Sequence, residues 1–518
     1  MDTVFFAGFI LHISNLIFMK SNIPFKTKNK NNYFYNRKNK SIFLTHPISS
    51  YLLEIYEQGK DMEEEISKIE GNIHINDYGS FSKEDVIYYY NKIQFLNSVN
   101  QLDASLFEKN INIKISEKEA KEFFANGENI VFEVTQRCNL NCNYCTYGEY
   151  YNWFENRVDE DLQFIKAKRL LDYYIELAKS QYNKSFKHEV TIGFYGGEPL
   201  LNFPFIEKVV NYVKKIKSDY LDFNFLMTTN ALYLKKYSDF IAKNNFQLLI
   251  SLDGDKNNNE YRVYKNNKPA FQQIIDNITF LKEKYSDYFE KRVGFNAVLH
   301  NKNSVKEIYT FFQKEFNKVP MISEVTSDSI KDDMKESFLN LHKNFRESLN
   351  QVEDYSDIDM EQVVNSPNYI DLREFIQSSK QLVNYSALLY AKNSYSRITS
   401  TCAPFSFKIF MTVSGKLLPC ENINHDFHLG IVTENEVKLD FEKIGNVYTN
   451  YYNKMKKQCF NCYFQENCKQ CILFLDIESE YPKCNGFIPM HETYSQHISS
   501  LINMIEEKPQ RYLNLINE

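Results

Sequence analysis

Thr135-Gln136-Arg137-Cys138-Asn139-Leu140-Asn141-Cys142-Asn143-Tyr144-Cys145 is the stretch on which the reading of this chain turns. Its cysteines have the spacing C-x3-C-x2-C. The apolar run Ile130–Val134 just before it predicts a strand. The thiols therefore sit on a loop at a strand's C-terminal end, where parallel α/β folds bind ligands. Three thiolates suit a soft metal centre. A structural zinc site normally takes four ligands and would need a distant residue to complete this one. A 4Fe–4S cubane takes four thiolate-type ligands, so three cysteines leave one iron open to chelate a small molecule.

Outward from this loop, strands and helices alternate, which argues for a parallel sheet. Further strands are predicted at Val190–Tyr195, Asn224–Thr228, Gln247–Leu252 and Val293–Leu299, with a weaker one near Ile322–Thr326. Helical patterns such as Lys166–Lys179 and Phe205–Ile216 lie between them. Six such units suit a partial barrel. Polar motifs follow the strands: Gly196-Gly197-Glu198-Pro199 the second, Thr228-Thr229-Asn230 the third, and Ser251-Leu252-Asp253-Gly254 the fourth. Arg262 comes soon after, within Tyr261-Arg262-Val263.

Taken in this order, these motifs resemble the radical S-adenosylmethionine (SAM) family. Tyr144 stands at that family's aromatic position before the last cysteine. The resemblance implies a partial (β/α)6 barrel with a 4Fe–4S cluster on Cys138, Cys142 and Cys145 and SAM on its open iron. It implies that Gly196, Gly197, Glu198 and Pro199 hold the methionine amino group. Ser251 and Arg262 would contact the ribose or carboxylate, and Tyr144, Thr229, Asn230 and Asp253 complete the expected SAM contacts. One electron from the reduced cluster would then cleave SAM to a 5′-deoxyadenosyl radical that abstracts hydrogen, with the protein supplying position and dryness.

The remaining cysteines are Cys402, Cys420, Cys459, Cys462, Cys468, Cys471 and Cys484. No cysteine lies in residues 1–137 or 146–401, so these are not scattered small hydrophobes. Disulfide frameworks belong to short secreted domains, and clustered cysteines in a long chain read as metal ligands. C-x2-C pairs could form zinc knuckles, but seven thiols do not fill two four-cysteine sites. The pattern resembles the SPASM extension of radical SAM enzymes, which carries two auxiliary 4Fe–4S clusters. The two-residue gap before Cys471 departs from that family's usual three. By resemblance, Cys459, Cys462, Cys468 and Cys484 hold an outer cluster, and Cys402, Cys420 and Cys471 an inner one. The inner set lacks a fourth cysteine, which leaves room for a substrate thiolate, or for Glu421, His425 or His428.

The chain has 518 residues, 43% of them hydrophobic and 25% charged, with a net charge of −6. This is ordinary globular composition and enough length for about three domains. A net negative charge argues against general nucleic-acid binding. The apolar run Val4–Met19 is short for a membrane span, follows Asp2 rather than a basic start, and is interrupted by His12, Ser14 and Asn15. No membrane partner is expected; the run reads as a buried strand or as residues preceding a true start at Met19, with a weak membrane anchor as the lesser alternative. Tyr33-Phe34-Tyr35 and Ser41–Leu44 predict a strand pair, and helices follow from Pro47 and over 84–99.

The expected organisation is α/β: an N-terminal α+β, leader-recognition-like region over 1–129, a radical SAM core over 130–330, a helical bridge over 331–400 and a SPASM domain over 401–518. SPASM enzymes modify peptides or proteins. The expected function is modification of a ribosomally made precursor peptide with a leader, by an intrapeptide crosslink such as a Cys thioether. The loop Tyr147-Gly148-Glu149-Tyr150-Tyr151 resembles maturases of cysteine-containing peptides. An electron donor such as flavodoxin or ferredoxin and a cytoplasmic location are expected with it. The alternative is an anaerobic sulfatase-maturing enzyme, with Glu421 as the general base beside Cys420. A non-enzymatic zinc peptide-binding protein is a third reading.

Overall fold

A computed structural model describes residues 22–98, 114–350, 399–507 and 509, apart from 37–40, 58–59, 153–158, 185–187, 217–220, 328, 400, 461, 463–467, 469, 476–478, 480–481 and 488–493. The expectation for Val4–Met19 lies outside these residues. No helix among the described residues is long and apolar enough to cross a membrane.

The N-terminal part begins with an antiparallel sheet, β1 (Asn22–Lys26), β2 (Asn32–Asn36) and β3 (Ser41–Thr45), in the order β1-β2-β3. Helices Pro47–Glu57, Met62–Ser67 and Lys83–Ser98 follow, with the hairpin β4 (Asn72–Ile75) and β5 (Gly79–Ser82) between the last two. Ile48, Leu52, Ile66, Val86 and Ile93 give this part a buried cluster of its own. β1 is hard to read from sequence because Pro24 sits inside it, and proline argues against a paired strand. The hairpin is short, and its turn uses Asp77 and Gly79 at positive φ.

The core is a ten-stranded sheet in the order β11-β10-β9-β8-β7-β6-β12-β13-β14-β15. β6 (Asn129–Thr135), β7 (His188–Gly196), β8 (Leu221–Thr229), β9 (Gln247–Ser251), β10 (Val293–Leu299) and β11 (Met321–Glu324) pair in parallel. They coincide with the six predicted strands to within a few residues. Residues 130–135 of β6 are all buried, as in parallel strands covered on both faces. Helix Phe164–Ala178 shows the covering pattern: Ala167, Leu170, Leu171, Tyr174, Ile175 and Ala178 form one buried stripe.

The C-terminal region carries more strand than expected. β12 (Lys408–Met411) pairs in parallel with the free edge of β6, from Lys408 opposite Asn129 to Met411 opposite Phe132. β13 (Lys416–Leu418), β14 (Gly430–Val432) and β15 (Val437–Leu439) continue the sheet antiparallel. At three or four residues each, they are too short to show a period of two. The cysteine-rich region is thus built onto the barrel's first strand. Helices Lys335–Leu341 and Phe345–Asn350 follow β11; residues 351–398, where most of the expected bridge falls, lie outside the described ones.

The final helix, Tyr494–Glu507, returns to β1. Glu506 accepts bonds from the side chains of Asn29 (2.9 Å), Asn31 (2.8 Å) and Tyr33 (2.7 Å), and the Lys28 N–H donates to Asn503 (2.6 Å). Glu507, by contrast, meets only the exposed Lys28 among described ion pairs, at 3.9 Å. Glu506→Ala is expected to lower stability by about 1 kcal/mol, and Glu507→Ala by almost nothing. Thermal unfolding of the two variants, with amide exchange over residues 22–36, checks the contrast.

Candidate active site

A cavity of about 470 Å³ opens at the C-terminal ends of β6 to β9. Cys138, Cys142 and Cys145 border it, with Gly196, Gly197, Thr228, Thr229, Asn230, Ser251, Tyr144 and Arg262. Tyr147, Glu149, Tyr195 and Lys331 also line its wall.

The thiol loop is fixed by backbone bonds. The N–H groups of Asn141 and Asn143 donate to the carbonyls of Val263 (2.8 Å) and Tyr261 (3.2 Å). The N–H groups of Gly197 and Glu198 donate to Thr135 (2.8 Å) and Arg137 (2.9 Å). This approach requires glycine: a Cβ on Gly197 would lie 2.1 Å from the Arg137 carbonyl oxygen. Gly196 has φ +122, and a Cβ there would lie 2.5 Å from the Thr135 oxygen. On the far side, the loop after Cys145 is tied to the segment after β11. Tyr151 bridges Ile330, the Asn152 N–H donates to Ser329 (3.1 Å), and the Lys331 N–H donates to Tyr150 (2.8 Å).

Behind the cavity lies a buried charge pair. Asp253 takes Arg262 in two bonds, at 3.0 and 2.9 Å, and also accepts the Val298 N–H (3.0 Å) and the Tyr144 hydroxyl. Burial alone would push the Asp253 carboxyl up; the Arg262 guanidinium and His300 outweigh it and hold the group at about 2. His300, fully buried, stacks on Tyr144 with ring centroids 5.7 Å apart. It was not singled out from sequence, although it follows β10 as the other motifs follow their strands.

Seven of the residues expected to touch SAM border the cavity: Tyr144, Gly196, Gly197, Thr229, Asn230, Ser251 and Arg262. Glu198, Pro199 and Asp253 stand behind this wall. The Glu198 carboxylate is fully buried and accepts from the Leu200 N–H (3.1 Å), the Thr229 hydroxyl (2.8 Å) and the Asn230 N–H (2.8 Å). Burial raises its pKa to about 7 against the pull of these bonds. Its place is therefore to hold the end of β8, not to face the cavity. Pro199 opens a buried 3-10 turn.

All ten cysteines are free thiols. They fall into three electrostatic neighbourhoods. Cys142 feels Cys145 and Cys138; Cys459 feels Cys468, Cys462 and Cys484; Cys471 feels Cys402, and Cys420 feels Cys471. Among the described residues no three His, Cys, Asp or Glu side chains stand at metal-binding spacing. Burial pushes the Cys142, Cys420 and Cys459 thiols up to about 12. Thiolates at these places need a cationic partner beside them.

Glu421 sits differently from an open general base. Both its oxygens are taken by Lys408, at 2.7 and 2.6 Å, and it does not border the cavity. Between it and the cavity stands Tyr195, which packs with Cys420 against Val131, Phe410 and Leu418. Burial raises the Tyr195 phenol, and Glu421, Cys145 and Cys420 add to it.

A parallel α/β sheet with a thiol-rimmed cavity at its strand ends defines a protein that holds a soft metal centre and a small ligand together. Residues 132–314, the part of the chain that carries the cavity, match the model of the Radical SAM superfamily. An uncharacterized protein of Methanocaldococcus jannaschii is 33% identical over 34% of this chain and 54% of its own length. The radical SAM cyclopropyl synthase TigE of Paramaledivibacter caminithermalis is 24% identical over 76% of this chain and 80% of its own. A cysteine-type anaerobic sulfatase-maturating enzyme of Clostridium novyi is 30% identical over 36% of this chain and 48% of its own. The chain thus spans about half the length of the first and third of these relatives.

The superfamily's cofactors are a 4Fe–4S cluster and SAM. The site fits both: three thiols border the cavity, that of Cys142 made costly by burial, and the glycine pair leaves bare backbone at the cavity wall. Gly197→Ala should separate the glycine turn from the thiol loop. The expected result is a loss of about four irons per chain after anaerobic reconstitution, with the fold retained by circular dichroism.

Proposed function

We propose that this protein modifies a ribosomally made precursor peptide, bound through its leader, and that the product carries an intrapeptide crosslink such as a Cys thioether. The observation that carries the reading is the continuity of the cavity wall, through Tyr195, with the apolar cluster that holds Cys420. A peptide in the cavity would lie between the thiol trio and a second thiol group that has three cysteines and no fourth. A substrate cysteine could complete that group. In this division, 1–129 receives the leader, 130–330 holds SAM, 331–400 bridges, and 401–518 holds two auxiliary clusters. A flavodoxin or ferredoxin in the cytoplasm would supply electrons.

When bound, the cluster and SAM supply a radical able to abstract hydrogen from an unactivated C–H bond. The chain's own residues orient and enclose. Arg262, held by Asp253, presents a fixed cation to the cavity. Gly196 and Gly197 offer backbone groups to the methionine end. The stretches Tyr150–Asn152 and Ser329–Lys331 are tied to each other beside the cavity.

Among the described residues β3 stands last in its sheet, and Leu44 on it is 67% exposed. Helix Lys83–Ser98 meets the residue that follows β3, with Tyr89 stacked on His46 at 4.3 Å and with Tyr88 and Phe95 exposed. An extended peptide could pair with β3 and set apolar side chains against this helix. A sulfatase-maturing role is the second reading, favoured by the relative from Clostridium novyi. It asks Glu421 to act as a base, and the Lys408 pair would have to open first.

Incubating reconstituted enzyme, SAM, a reductant and the precursor peptide encoded beside the gene is expected to give a product two hydrogens lighter per crosslink. Unchanged mass in every neighbouring peptide would defeat the proposal. Leu44→Arg is expected to weaken binding of the full precursor about tenfold, equivalent to about 1.4 kcal/mol, while cleavage of SAM without peptide is unchanged. Equal affinity of variant and wild type would place the leader elsewhere.

A further inference from the structure

We propose that Asn230 is a positioning residue that tunes the SAM-site cluster through Cys138, by donating a hydrogen bond to that cysteine's sulfur. The inference rests on the reading that Cys138, Cys142 and Cys145 hold the cluster. It assigns Asn230 a role toward the protein's own ligand, in place of a direct contact with SAM.

Asn230 follows β8 and is only 7% exposed. Its carboxamide has one sense of orientation. Oδ1 accepts the Leu232 N–H at 3.1 Å, so Nδ2 points the other way. There it donates to Asn139 Oδ1 at 2.7 Å and reaches Cys138 Sγ at 3.8 Å. The same sulfur accepts the Leu140 N–H at 3.4 Å. Two N–H donors therefore converge on Cys138.

The turn that aims this carboxamide is held from behind. The Asn230 N–H and the Thr229 hydroxyl both donate to Glu198, each at 2.8 Å. Thr229 Oγ1 accepts the Ala231 N–H at 3.1 Å. Ala231 itself lies at φ +65, a conformation that a non-glycine residue keeps only when its surroundings fix it. The buried glutamate of the Gly-Gly-Glu-Pro motif thus acts on the thiol loop by way of Asn230.

N–H donors to a cysteinyl sulfur draw off part of its negative charge. They favour the reduced, more anionic cluster and raise its potential. Removing the donor should make the cluster harder to reduce. Placing a carboxylate there should do so more strongly, because it adds negative charge at the sulfur.

The test is potentiometry of the reconstituted full chain, followed by electron paramagnetic resonance. The SAM-site signal is the one that changes when SAM is added. Asn230→Ala is expected to shift its midpoint to more negative potential, and Asn230→Asp further. Asn139→Ala removes the neighbouring acceptor but leaves the donor to Cys138, and is expected to leave the midpoint in place. Unchanged midpoints in both Asn230 variants would overturn the inference. So would a shift in Asn139→Ala as large as in Asn230→Ala, since loop position would then be the cause. If Asn230→Ala cannot be loaded with iron, the isosteric Asn230→Asp, which keeps the bond from Leu232, decides alone. A wild type with no SAM-responsive signal would instead defeat the cluster reading itself.

Discussion

A thiolate inside a protein is tolerable only beside a positive charge, and the chain is organised around that cost. Cys142 and Cys459 lie in neighbourhoods where the adjoining thiols disfavour their ionisation. Such an arrangement is unstable as a set of free anions and sensible as the wall of a metal centre. The fold supplies the first neighbourhood with rigid supports on every side: β6 beneath it, the glycine turn after β7 on one flank, and residues 261–263 on the other. None of these supports is itself a thiol. The position of the loop is therefore set by backbone bonds.

The second constraint is the buried pair of Asp253 and Arg262. Such a pair is a poor source of stability, because desolvation consumes much of its attraction. Its value here is geometric. Asp253 fixes Arg262 by two bonds, Tyr144 by one and the strand β10 through Val298. A cation thus borders the cavity without freedom to leave it, and the thiol loop is joined through Tyr144 to the same carboxylate. Glu198 plays a corresponding part at the end of β8, as a buried acceptor that organises Thr229 and Asn230 at the cavity wall.

The barrel was legible because its strands are covered on both faces and read as continuous apolar runs, as in Ile130–Val134. The thiol loop and the motifs after each strand were legible because glycine, cysteine and charged residues there break those runs. Less could be read where short elements depend on distant partners. β12 to β15 are strands because β6 offers an edge, and nothing in residues 408–418 alone announces it. The carboxylates show a further limit. Sequence placed Glu198 and Asp253 at the right strand ends but not on which side of the wall their oxygens would lie. That depends on donors from residues 200, 229, 230, 262 and 298, which only the folded chain assembles. Lys408, the partner of Glu421, was equally invisible, being 13 residues away across a turn.

The pairing of β12 with β6 also fixes how the two cysteine regions must relate. β6 ends directly in the thiol loop, so whatever holds its edge is held in register with that loop. Glu133, buried on β6, accepts the Val413 N–H at 2.9 Å and pins the turn after β12 to the same strand. Cys420 follows β13 by two residues and is carried along by this register. A flexible linker between separate modules would let the second thiol group wander relative to the cavity. Continuous sheet does not allow it, because a slip of one residue would turn every side chain of β12 to the other face. The distance from the cavity to Cys420 is thus a property of strand pairing.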